Sequence, residues 1–92
     1  MIRSFRHRGL ERFYLYGDHR GVPADFAPRL ERILDNLNAA NAPIEMNMPS
    51  FRFHRLKGSR AGVYAVNVSG NWRVTFEFAS GHAIRVNLED YH

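Results

Sequence analysis

Apolar positions along this chain change their period once, near residue 50. From about Ala24 to Ala40, Phe26, Leu30, Ile33, Leu34 and Leu37 recur at three- and four-residue steps, while Arg29, Glu31, Arg32, Asp35 and Asn36 take the other faces. That spacing predicts an amphipathic helix with one buried stripe. Pro23 and Pro28 sit at or before its first turn, where a missing amide hydrogen costs little, and Asn41-Ala42-Pro43 ends it. Leu10, Phe13 and Tyr14 predict a shorter helix over residues 10–16, closed by Gly17 and the polar turn Asp18-His19-Arg20-Gly21. Ahead of it, Ile2 to Arg6 alternates loosely and reads as a first strand, placed at an edge because Arg3 and Arg6 need water.

Met46 to Ser50 reads as a connection, after which the period becomes two. Val63 to Val68 is rich in β-branched and aromatic residues; Trp72, Val74, Phe76 and Phe78 share one face of the next strand, and Ile84, Val86 and Leu88 one face of the last. Ser69-Gly70-Asn71 and Ser80-Gly81 supply tight turns, so these three strands are expected to form an antiparallel meander. The order is β-α-α-β-β-β. An α+β fold follows, with a curved antiparallel sheet, two helices packed on one face and a polar opposite face. Trp72 and the Phe26, Leu30, Ile33, Leu34 stripe are best explained as core.

Composition narrows the class. Ninety-two residues suit a single domain spanning 1–92. The absence of cysteine removes disulfides, thiolate metal sites and cysteine nucleophiles, and fits a reducing compartment. The opening Met1-Ile2-Arg3-Ser4-Phe5-Arg6-His7-Arg8 is too charged for a signal peptide, and no apolar run approaches a membrane span, so a soluble, cytoplasmic protein with no membrane partner is expected. The formal charge is +4, with Lys57 the one lysine among thirteen basic residues. Arginine grips phosphate through a planar fork and stacks on bases, so the bias points to an anionic partner, nucleic acid first. An arginine-biased genome would produce the same ratio.

The polar sheet face is read by parity: Arg73, Thr75 and Glu77 on one strand, Arg85, Asn87 and Glu89 on the next. Phe51-Arg52-Phe53-His54-Arg55-Leu56-Lys57-Gly58-Ser59-Arg60, taken as the preceding strand, packs four cations and a histidine into one stretch with no acid. A solvated face accounts for any single arginine there; the cluster is harder to dismiss. His54 lies among Arg52, Arg55 and Lys57, which disfavour the imidazolium, whereas His92 follows Asp90 and is expected beside a terminal carboxylate, which favour it. One site would then hold a neutral base and a charged acid at the same pH.

Such a pair, with guanidinium groups, suffices for RNA cleavage by the substrate's own 2′-hydroxyl. His54 would take the hydroxyl proton, Arg73 and Lys57 would hold the phosphate, His92 would protonate the departing 5′-oxygen, and Tyr91 would stack on a splayed base. No phosphate-cradling glycine loop, helical histidine pair or serine elbow is present, and Asp90 with His92 is a weak metal signal, so no metal and no cofactor are expected. His7, His19 and His82 read as surface histidines.

Several separated motifs resemble the HigB toxins of the RelE/ParE superfamily: His54-x-Leu56-Lys57-Gly58, Arg60-x-Gly62, Asn71-Trp72-Arg73-Val74-Thr75-Phe76, the closing Asp90-Tyr91-His92 and the opening Met1-Ile2-Arg3-Ser4-Phe5. The resemblance implies a RelE-like fold and a type II toxin that cleaves messenger RNA in the ribosomal A site without metal. It further implies a HigA-like helix-turn-helix antitoxin, with operator DNA reached only through the toxin–antitoxin complex. His54, Lys57, Arg73, Asp90, Tyr91 and His92 match the family's functional positions. Arg52, Arg55, Arg60 and Arg85 remain the candidate RNA-binding cations. The position of Val68 can be basic in the family, so part of the phosphate clamp would be missing or supplied by Arg60 or Arg85. Two rivals stay open: a ParE-like inhibitor of DNA gyrase without nuclease chemistry, and a non-catalytic RNA-binding module.

Overall fold

The computed structural model describes residues 1–91. Helices α1 (Arg8–Tyr16) and α2 (Ala27–Ala39) form where the apolar periods place them. α1 is capped by a histidine: the Nδ1 of His7 accepts the Leu10 amide hydrogen at 2.9 Å, supplying the oxygen-like acceptor that helix starts need. Burial lowers the pKa of His7, which keeps that nitrogen's lone pair available. Gly17 closes the helix at φ 69°. α2 follows a 3₁₀ turn over Ala24–Phe26, and Pro28 lies in its first turn, where no amide hydrogen is required.

Four strands, β1 (His54–Arg55), β2 (Tyr64–Ser69), β3 (Trp72–Ala79) and β4 (His82–Asp90), form an antiparallel sheet in chain order. The β3–β4 turn puts both Ser80 and Gly81 at positive φ, 52° and 79°, which matches the right-handed twist of its strands. Leu10 and Phe13 of α1 and Leu30, Ile33, Leu34 and Leu37 of α2 meet Val66, Val74, Phe76, Val86 and Leu88 in one hydrophobic cluster. The α+β architecture is therefore the expected one, with the helices sharing a sheet face. Among the described residues, no helix is long and apolar enough to cross a membrane.

Three details differ from the sequence reading. Thr75 pairs with Asn87 but Glu77 pairs with Ile84, so β4 spends three steps where β3 spends two. Arg85 absorbs this bulge at φ 51°. The extra residue moves Ile84 to the Glu77 face and hands its core place to Ala83, which is fully buried. Secondly, the amino-terminal segment is not a continuous strand. Ile2 and Phe5 make isolated parallel bridges to Ala83 and Val86, and Ser4 Oγ accepts the Arg85 amide hydrogen at 2.8 Å, so this segment grips β4 across the bulge. Thirdly, residues 51–60 contribute only the two-residue β1, because Ser50, Arg52 and Gly58 all adopt positive φ while Phe51 turns into the core.

The start of α1 lies directly against the turn before α2. A Cβ on Gly9 would collide with the backbone of Gly21, and one on Gly21 with the Cα of Gly9. We expect Gly9→Ala to lower stability by about 1–3 kcal/mol, the range for forcing atoms into filled space. Denaturant unfolding followed by Trp72 fluorescence measures it, and an unchanged midpoint would mean that the two backbones separate freely.

Candidate active site

Strand register builds the site. On the face away from the helices, His54, Ala65, Thr75 and Asn87 form one cross-strand row, and Asn67, Arg73 and Glu89 the next. Tyr91 continues on the Glu89 side by alternation. Arg52, His54, Asn67, Gly70, Arg73 and Tyr91 line a cleft of about 460 Å³ there. This polar face is less solvated than parity implied: Arg73 is only 9% exposed and Thr75 only 2%.

Glu89 organises the floor. Its carboxylate accepts two hydrogen bonds from Arg60, at 2.9 and 2.6 Å, one from Thr75 Oγ1 at 2.7 Å and one from Asn87 Nδ2 at 3.3 Å. Arg73 Nη2 stands 3.4 Å away. Arg60 first, then Thr75 and the charge of Arg73, lower the Glu89 pKa from 4.5 to about 2 against the opposing effect of burial. Arg73 is held between that anion and the Tyr91 ring, whose centroid lies 3.9 Å from the guanidinium carbon. Its buried Nε–H has no partner among the described residues. A desolvated guanidinium with an unspent donor, facing a cleft that also holds Arg52, is suited to an oxyanion.

His54 is exposed, and its Nδ1 lies 2.9 Å from the carbonyl oxygen of Arg52. A carbonyl only accepts, so Nδ1 carries the hydrogen and Nε2 of the neutral ring keeps its lone pair. The ring can thus act as a base through Nε2.

The structure unites part of the expected set. His54, Arg73, Tyr91 and Arg52 share the cleft. Lys57 caps the 3₁₀ turn Gly58–Arg60 and is exposed outside that lining, as is Arg55. Arg60 is committed to Glu89, and Arg85 to Glu77 at 3.1 Å. Asp90 pairs in register with Trp72 and alternates to the side opposite Glu89 and Tyr91. His92 lies outside the described residues. Val68 is buried in the hydrophobic cluster, and its neighbour Asn67 takes the cleft-facing place on β2. His82, read as a surface residue, is half-buried, and its Nε2 accepts from Arg3 at 3.1 Å.

Residues 3–92 match the family described as the RelE-like toxin of the type II toxin–antitoxin system HigB. The chain belongs to the HigB-like toxin family. It is 40% identical over 92 residues, covering both chains completely, to a Proteus vulgaris protein named endoribonuclease HigB. It is also 30% identical to toxin HigB-1 of Vibrio cholerae, over 99% of this chain and 98% of that one.

In this HigB-like chain the sequence reading passed over Glu89, Asn67 and Gly70 as site residues. Parity placed Glu89 on the right face, but its role depends on Arg60 reaching it from a loop 29 residues away in the chain. Asn67 was legible from alternation along Val63 to Val68. Because the folded Glu89 carboxyl titrates near 2 instead of 4.5, its stabilisation is complete above the ordinary carboxylate range and vanishes as pH falls towards 2. The shift alone corresponds to about 3 kcal/mol; solvent screening reduces this at a part-buried carboxylate, so we expect about 2 kcal/mol of acid-sensitive stability that Glu89→Gln lacks. Denaturant unfolding of both proteins between about pH 6 and pH 2 checks this; parallel pH profiles would contradict it.

Proposed function

We propose that this protein is the toxin of a type II toxin–antitoxin pair and a metal-independent endoribonuclease that cuts messenger RNA in the ribosomal A site, inhibiting translation. The observation that carries the reading is the cleft itself: a histidine with Nε2 free stands beside a buried, under-satisfied arginine. Full-length similarity to a relative named as an endoribonuclease supports the same chemistry.

Nε2 of His54 takes the proton of a ribose 2′-hydroxyl, and that oxygen attacks the adjacent phosphorus. Arg73 and Arg52 hold the non-bridging oxygens as negative charge builds, with Lys57 approaching from the rim. The P–O5′ bond breaks, and His92, assigned from sequence as the general acid with Asp90 as its neighbouring carboxylate, protonates the leaving oxygen. The products are a 2′,3′-cyclic phosphate and a 5′-hydroxyl. Tyr91 offers a ring face to a splayed base, while Arg55 and Arg85 supply outlying contacts to the RNA backbone. The nucleophile belongs to the substrate, so the scheme needs no metal-activated water. The proposed partners are mRNA on the ribosome and a HigA-like helix-turn-helix antitoxin, through which the pair would reach operator DNA.

Expression of wild type, His54→Ala and Arg73→Ala in cells, with transcript ends mapped, tests this. Wild type should cut translated messages and spare the same message lacking a ribosome-binding site, and each variant should lose roughly 100-fold or more of the cutting. Growth arrest with intact mRNA and damaged DNA would favour the gyrase-directed alternative.

A further inference from the structure

The outer edge of β2 is only partly paired by a strand. β1 covers it at Tyr64 and Ala65 and then ends. At Asn67 the backbone amide donates to the carbonyl of Phe51 at 2.7 Å, and the Asn67 carbonyl accepts from Nε of Arg29 at 3.1 Å. Nη2 of the same guanidinium donates to the carbonyl of Ser50. Its carbon lies 5.6 Å from the centroid of the Phe51 ring, which is fully buried. One side chain from α2 therefore replaces the missing strand pairing, closing the edge at Asn67 and tying down the segment that leads to His54.

That segment needs tying down. Ser50 and Arg52, on either side of Phe51, sit at φ 75° and 51°. Left-handed backbone at L-residues is strained and persists only where surroundings enforce it. The residues so held are cleft residues: Arg52 and Asn67 line it, and the carbonyl of Arg52 fixes the Nδ1–H of His54. Arg29 itself is absent from the cleft lining.

We propose that Arg29 is a positioning residue: by forking between the Ser50 and Asn67 carbonyls and stacking on Phe51, it sets the backbone at Arg52 and so the tautomer and orientation of His54. The effect on cleavage rests on the nuclease reading; the effect on the His54 ring does not. A lysine keeps the charge but cannot form the fork, so charge alone should not rescue the role.

The test compares full-length wild type, Arg29→Lys and Arg29→Ala, with His54→Ala as reference, in two measurements. Nitrogen NMR of the His54 ring should report hydrogen on Nδ1 in wild type and a mixture of tautomers in both Arg29 variants. Cleavage of a model message on translating ribosomes should fall roughly 10- to 100-fold, chiefly in kcat, in both. If Arg29→Ala fails to fold, Arg29→Lys decides. A wild-type tautomer in a folded Arg29→Lys protein overturns the proposal, as does full restoration of both readouts by lysine. If wild type itself does not cleave, or His54→Ala cleaves as well as wild type, the nuclease reading fails while the tautomer still decides the role of Arg29.

Discussion

A guanidinium taken almost wholly out of water must have an anion beside it, and in this fold that requirement falls on one pair. Arg73 is buried near the start of β3, and Glu89 on β4 is its cross-strand partner. Replacing either alone would strand a buried charge, which is far more costly than the pair is stabilising. The carboxylate is not spent on Arg73 alone, since Arg60, Thr75 and Asn87 also donate to it. Elements from the β1–β2 connection, β3 and β4 are thereby drawn to one point, and the cleft is assembled around it. The stronger bonds go to Arg60, and the longer 3.4 Å contact leaves Arg73 with donor capacity to spare.

The same economy of contacts sets the limits of what alternation can foresee. Alternation holds along β3, where it places Arg73, Thr75 and Glu77 on the side they occupy. It fails on β4 at one residue. The bulge at Arg85 shifts phase, so Ile84, the most strand-like apolar residue there, leaves the core to Ala83. No local propensity marks that bulge; the amino-terminal segment meets β4 there through Ser4 and Phe5, roughly eighty positions away in the chain.

The chemistry was legible to a similar depth. His54, Arg73 and Tyr91 were identified by residue type and by family motif, and the fold brings them to one cleft. Lys57 and Arg55 lie near His54 in sequence but outside the lining: Arg55 follows His54 on β1 and alternates to the opposite side, and Lys57 lies past the end of that strand, at the cap of the 3₁₀ turn. Glu89 and Arg29 went unrecognised for a common reason. Each looks like an ordinary charge on a solvated face, and only the approach of a distant loop converts it into a fixed contact. Residue type predicts which groups can react; it does not predict which groups hold them still.

The grip of residues 1–6 on β4 also bears on how the chain is made. Residues 1–6 pair with Ala83–Val86, and β4, which follows the other described elements in chain order, carries Glu89 and leads into Tyr91. Contacts of such long range form late, since the loop they close spans roughly eighty residues. A nascent chain therefore has no floor for the cleft until residues 82–91 have emerged from the ribosome that makes it. The order of synthesis sets when the cleft can assemble.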